Sequence, residues 1–151
     1  MSISIVWSSE FETGIDIIDQ QHRRMFEYFE EIETAIKQRA PERVERVVRN
    51  LIDYAFSHIT FEEGLMEKAN YPLLDVHRKV HESFRTRVLA WAEKLQDGAD
   101  PLRVAMEVRT DVGLWLINHI KHEDKHYAPY VKKALAPGLV ARMTGKLFGN
   151  G

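Results

Sequence analysis

The 151-residue sequence contains no cysteine. That single absence removes disulfides, thiolate metal sites, iron–sulfur clusters and cysteine nucleophiles together. Basic residues are not in excess: 21 Lys and Arg stand against 23 Asp and Glu, a formal net charge of -2. Nothing in that balance neutralises a phosphate backbone, which argues against a nucleic-acid partner. No run approaches the roughly 20 apolar residues of a membrane span. The first residues, MSISIVWSSEFETG, lack a basic segment followed by an apolar stretch, so no signal peptide is visible and a cytoplasmic location is the default expectation. Internal repeats and low-complexity segments are also missing.

What remains is helical patterning. The hydrophobic content of 44% suits one domain with a real core. Residues 1–18 read as an extended arm in which Ile3, Ile5 and Trp7 alternate with smaller residues, and Gly14 interrupts any helix. Four patterns of period near 3.6 follow. The first runs from about Asp19, a plausible N-cap, to Arg39, with Met25, Phe26, Phe29, Ile32 and Ile36 on one stripe and His22 one turn upstream. Pro41 suits the start of the second, which carries Val44 to Ala55 and then His58, Glu62, Leu65 and Met66 in register. Asn70-Tyr71-Pro72 is a break. The third carries Leu73, Leu74, His77, Val80, His81, Phe84, Val88, Trp91 and Leu95. Asp97 to Pro101 is a stop and restart, and the fourth pattern runs from Val104 through Trp115, Leu116 and His119 to about Tyr127. The expected fold is all-α: an up-down-up-down four-helix bundle. One domain spans 1–136, with the arm at 1–18 and the bundle at about 19–130. A tail at 137–151 follows, with Leu139, Val140, Met143, Leu147 and Phe148 beside Arg142 and Lys146. It reads as a short amphipathic helix docked on the bundle, ahead of a disordered end or a partner or membrane-surface contact.

Polar residues interrupt these apolar stripes. His58 and Glu62 are four residues apart, as are His77 and His81, so each pair shares one helix face. His22 and His119 add one ligand type each from the other two helices. Any one of these histidines alone reads as a hydrogen-bonded core residue. Five of the seven histidines lying in register with four apolar stripes is different, because a core tolerates so many polar groups only when a cation satisfies them. Imidazoles and carboxylates without thiolate suit iron, manganese or zinc, and this set is too large for one zinc. Five imidazoles, two bridging carboxylates and a solvent-derived bridging oxygen fill all but one of the positions that two octahedral ions offer. The second carboxylate is open on spacing alone. Glu123 lies at i+4 from His119, whereas Asp124 lies five residues on, about 140° away around an ideal helix. Either the helix bulges locally or Asp124 reaches inward from the far side of a turn.

The chain resembles the bacteriohemerythrins, the single-domain prokaryotic form of the hemerythrin family. The matching residues are Trp7, Gly14-Ile15-Asp16, Asp19-Gln20-Gln21-His22, His58-Ile59-Thr60-Phe61-Glu62-Glu63, Tyr71-Pro72, His77 to His81, and Trp115 to Ile120 with Asp124, covering residue 5 to about 130. The resemblance implies a four-helix bundle with a non-haem di-iron centre that binds dioxygen reversibly, an oxygen-binding protein and not an enzyme. It implies that one iron takes His77, His81 and His119, that the other takes His22 and His58, and that Glu62, Asp124 and a solvent-derived oxo or hydroxo group bridge them. It further implies an oxygen pocket of Met25, Ile59, Trp115, Leu116 and Ile120. Two other uses compete with oxygen transport, storage or delivery. A sensor would signal through the arm or tail, but no output domain is seen. A di-iron oxidase or peroxidase would carry paired Glu-x-x-His motifs, and only Glu123-x-x-His126 occurs. His122 and His126 read as surface or outer groups.

Overall fold

The computed structural model describes residues 5–136, 138–140 and 142. Four long helices form the bundle: α1 (Asp16–Lys37), α2 (Pro41–Lys68), α3 (Leu74–Gln96) and α4 (Pro101–His119). A single π-helical turn (Ile120–Asp124) joins α4 to α5 (Lys125–Ala134) without a break in direction of winding. Each of α1 and α3 packs on both α2 and α4, so the four close around one interior, as short connections between antiparallel neighbours require. No strand occurs among the described residues.

The boundaries follow local chemistry. Arg39 (φ 51°) and Asn70 (φ 52°) take left-handed conformations just past α1 and α2, and Gly98 (φ 89°) does so past α3, reversing the chain as helix C-termini commonly do. Asp100 caps α4, its side chain accepting the Leu102 N–H at 3.1 Å, and Pro101 occupies the first turn. Three expectations need correction. The arm is not extended throughout: Ser9–Phe11 forms a 3-10 turn, and α1 begins at Asp16. Asp19 is inside α1 and not its N-cap, because its carboxylate reaches backward instead, accepting the Thr13 N–H and hydroxyl, both at 2.8 Å. Leu73 precedes α3 and is exposed. The alternation read at Ile3 lies outside the described residues, as does the tail at 137, 141 and 143–151. Val140, in the described part of the tail, is buried with Ile15, Ile18 and Val131.

Two apolar clusters fill the interior. The larger runs from Phe11, Phe26 and Phe29 through Leu51, Phe84 and Val108 to Leu116 and Ile120. The smaller gathers Ile15, Ile18, Phe61, Leu65, Met66, Tyr71, Tyr127 and Val131 around the other end. Ile5 of the arm packs onto the larger one, its Cδ1 taking the space that a side chain on Gly113 would need. Between the clusters lies a layer of buried polar side chains.

Candidate metal centre

That layer contains all seven residues that the resemblance named. His22 comes from α1, His58 and Glu62 from α2, His77 and His81 from α3, His119 from the end of α4 and Asp124 from the end of the π turn, and every one is buried. The helical spacing of four places His58 Nε2 2.8 Å from Glu62 Oε1. It also sets the His77 and His81 rings edge to face, their centroids 4.5 Å apart. The π turn resolves the fourth-helix conflict. The Lys125 N–H reaches back to the Ile120 carbonyl, five residues earlier, so a full turn here takes about one residue more than in an α-helix. His119 and Asp124 thereby meet, with His119 Nε2 3.0 Å from Asp124 Oδ1. Glu123 points outward, its side chain 38% exposed.

Two four-membered groups converge, Glu62 with His77, His81 and His119, and Glu62 with His22, His58 and Asp124, the donor atoms within each lying within 4.8 Å of one another. In the first, His119 Nε2 is 3.2 Å from His77 Nε2 and 3.1 Å from His81 Nε2. Nitrogens bound at right angles to one ion at about 2.1 Å stand about 3 Å apart. Asp124 spans the groups: Oδ1 faces His119 and His77, while Oδ2 lies 3.1 Å from His22 Nε2. Glu62 stands between them differently, with Oε1 2.8 Å from His58 and 3.9 Å from His81. Yet His22 Nε2, Glu62 Oε1 and both Asp124 oxygens make no aligned hydrogen bond. Buried polar atoms in that condition cost several kcal/mol, and two cations between them remove the cost. The donor set fits a pair of metal ions.

Charge states agree. Burial and the Asp124 charge push the Glu62 carboxyl up, but His58 and His22 outweigh them and hold it below its ordinary value. Burial opposes the Asp124 charge too, and His119, His22 and His77 keep it well below the carboxylate range. Burial lowers the His81 imidazole despite the Glu63 carboxylate at its side. Ionised carboxylates and neutral imidazole are the forms that bind metal. His119 departs from the pattern: burial works against its charge, but Asp124 and Glu62 outweigh it and raise the imidazole above its ordinary value.

Outer partners aim these ligands, and the sequence reading missed them. Glu63 Oε2 takes a hydrogen bond from His81 Nδ1 at 2.8 Å and is itself held by Arg85 at 3.0 Å. Gln21 Oε1 does the same for His58 Nδ1 at 2.6 Å. Each leaves the ring's Nε2 lone pair facing inward. Tyr127, fully buried, donates its hydroxyl to Glu62 Oε2 at 2.6 Å. Gln21 and Glu63 sit beside ligands in sequence, a signal available but ambiguous; no spacing rule links Tyr127 to Glu62. His122 is exposed, and His126 hydrogen-bonds Tyr71.

Beside the two groups lies a cavity of about 10 Å³, room for one water-sized molecule. His58, Glu62 and His119 form its polar wall. The remainder is Met25, Phe29, Leu51, Ala55, Ile59, Phe84, Val112, Trp115 and Leu116. Met25, Ile59, Trp115 and Leu116, named above for an oxygen pocket, are among the residues that line this cavity. Ile120 is fully buried but does not line this cavity. Trp115 stacks on His119 with ring centroids 4.3 Å apart.

The hemerythrin HHE cation binding domain matches residues 13–131. The chain belongs to the hemerythrin family. The bacteriohemerythrin of Stenotrophomonas maltophilia is 40% identical, over 96% of this chain and 98% of that protein. That of Pseudomonas aeruginosa is 33% identical over the same shares. A crystal structure of a leucine-to-phenylalanine mutant matches with a TM-score of 0.78 and 25% identity, covering 85% of this chain and 98% of the other. All seven buried donors, from His22 to Asp124, lie within the matched residues. Among the described residues no helix is long and apolar enough to cross a membrane.

Proposed function

We propose that this hemerythrin binds dioxygen reversibly at a di-iron centre and serves oxygen transport, storage or delivery. The observation that carries the reading is a cavity for one small molecule, walled mainly by apolar side chains and lined also by Glu62, which two buried donor groups share. In this reading His77, His81 and His119 would hold one iron and His22 and His58 the other, and Glu62 and Asp124 would serve both. The iron pair, when bound, supplies the electrons that reversible dioxygen binding needs. Everything else is the work of the chain. Glu63 and Gln21 fix the His81 and His58 tautomers. Tyr127 anchors Glu62. Met25, Ile59, Trp115 and Leu116 exclude water and small anions, so that bound oxygen leaves as oxygen and is not displaced as a reduced species. Metal analysis with an oxygen titration of the reduced protein tests the reading. Two irons per chain and a coloured product that reverses under vacuum are expected. Continuous oxygen consumption in stopped-flow mixing would make it an oxidase instead.

A further inference from the structure

The histidines of the donor layer are held from outside in different ways. His58 Nδ1 has Gln21 Oε1 at 2.6 Å, and His81 Nδ1 has Glu63 Oε2 at 2.8 Å. His119 is as deeply buried, but its Nδ1 has no hydrogen-bond partner among the described residues. Glu123 Oε2, at 3.8 Å, is beyond hydrogen-bond range. What lies against the His119 ring is an indole. Trp115 precedes His119 by four residues on α4, the spacing that puts two side chains on one face. The two rings are nearly parallel, with 14° between their planes and centroids 4.3 Å apart. Trp115 is also nearly parallel to Phe84 of α3, at 15° and 3.9 Å. Two rings that close would collide on one face of the indole, so Trp115 is sandwiched between them. Phe84 is buried three residues after His81. The column of three rings therefore crosses from the helix that carries His77 and His81 to the helix that carries the third imidazole of their group. Bulk alone does not require this arrangement. A branched aliphatic side chain would occupy much of the same space, whereas a flat ring backed by another flat ring favours one plane for the imidazole stacked on it.

We propose that Trp115 is the positioning residue of His119: its indole, backed by Phe84, sets the plane of the His119 ring and with it the grip of the Glu62, His77, His81 and His119 group on a metal ion. The proposal rests on the di-iron reading for the presence of that ion. A ligating imidazole is ordinarily aimed by the hydrogen bond that its other nitrogen makes. For His58 and His81 the chain supplies that bond; for His119 the stack takes its place. Rotation about the His119 Cβ–Cγ bond would swing Nε2 and tilt its lone pair away from the point where it meets His77 Nε2 at 3.2 Å and His81 Nε2 at 3.1 Å. The parallel indole face opposes that rotation, because one edge of the turning imidazole would drive into it. The same indole walls the cavity, so one side chain both shapes the space beside the centre and aims a ligand.

The test titrates the metal-free full chain with iron(II) under argon by calorimetry and counts the bound metal after gel filtration. Wild type should bind two ions. Trp115→Phe keeps a flat ring and should bind them as wild type does. Trp115→Leu keeps apolar bulk without a plane, and one of its two binding steps should weaken about 10–100-fold, the range for losing an outer partner of a ligating histidine. Phe84→Leu leaves Trp115 in place but unbacked and should weaken the same step. Trp91, which gives its indole N–H to Glu107 of α4, lies about 15 Å further along α3 than His81. Trp91→Leu should therefore lower the urea midpoint of the metal-free protein and leave both binding steps as they are. Unchanged affinity in Trp115→Leu overturns the proposal. So does a Trp115→Phe as weak as Trp115→Leu, which would assign the effect to the indole itself and not to stacking. A Trp91→Leu that loses as much iron overturns it too, since the loss would then be one of general stability. Should Trp115→Leu fail to fold, Phe84→Leu decides, and unchanged affinity there overturns the proposal. A wild-type chain that binds no iron overturns the di-iron reading and the positioning role together; the other outcomes overturn the positioning role alone.

Discussion

Glu123 and Asp124 are adjacent residues with opposite surroundings, one 38% exposed and the other fully buried among imidazoles. Glu123→Gln should therefore leave iron content and the visible spectrum intact, and Asp124→Asn should lower both. Equal losses, or the reverse order, would remove Asp124 from the ligand set. Glu63 acts one contact further out. Burial works against its charge, but the hydrogen bond from His81 and the Arg85 guanidinium hold its carboxyl below the ordinary 4.5. A folded value below the unfolded one contributes stability above pH 4.5 that is lost as pH falls through the folded value. In the metal-free protein, urea midpoints of wild type and Glu63→Gln should differ at neutral pH and converge in acid. A gap that persists in acid would mean the carboxylate charge is not what matters. Leu116, 4% exposed and on the cavity wall, offers no polar atom to a ligand. Leu116→Ala should cost on the order of 2–5 kcal/mol, leave oxygen binding in place, and speed autoxidation and azide entry. Faster oxygen entry with unchanged autoxidation would limit Leu116 to controlling access.

At the scale of elements, the apolar stripes and their breaks were legible because each is local. Val44 to Ala55 repeats at helical spacing, and Asn70 and Gly98 mark turns by their own conformational range. The start of α1 was not legible, because Ile15 has no capping side chain and the polar contact comes from Asp19 folding back on Thr13. The π turn was visible only as a conflict between His119 and Asp124, with no residue type in Ile120–Asp124 that announces it. The extra cavity residues, Phe29, Leu51, Ala55, Phe84 and Val112, read as ordinary core, since which stripe meets which across the bundle is not written in any one helix. A π turn amounts to one residue inserted into an α-helix, a local strain commonly retained for a site. Deleting exposed His122 should restore a regular helix. The expected product carries the Asp124 carboxylate four residues after His119, on the same face of a regular helix, folds at least as stably without iron by urea denaturation and retains iron by metal analysis. Loss of iron would show that the turn does more than bring Asp124 onto the face of His119.

Over the whole molecule, the buried polar layer divides the interior into a large apolar cluster and a small one. The larger core needs no metal to close. The smaller closes against Glu62 and Asp124, whose Oε1, Oδ1 and Oδ2 make no aligned hydrogen bond. Iron removal should therefore loosen the two ends unequally. Hydrogen exchange in the apo protein should rise at residues 61–71 and 125–131 and stay slow at 44–55 and 104–112. A uniform rise would mean that the bundle unfolds as one unit and that metal stabilises it globally.

The same layer gives the molecule sidedness. The cavity walls, from Met25 and Phe29 to Leu116, belong to the large cluster, while Tyr127 and Tyr71 belong to the small one. The cavity and the Tyr127 hydroxyl therefore meet the shared Glu62 from different halves of the interior. Substitutions that reshape the cavity can then be made along one half of the bundle while the hydrogen bond that Tyr127 gives Glu62 stays untouched in the other.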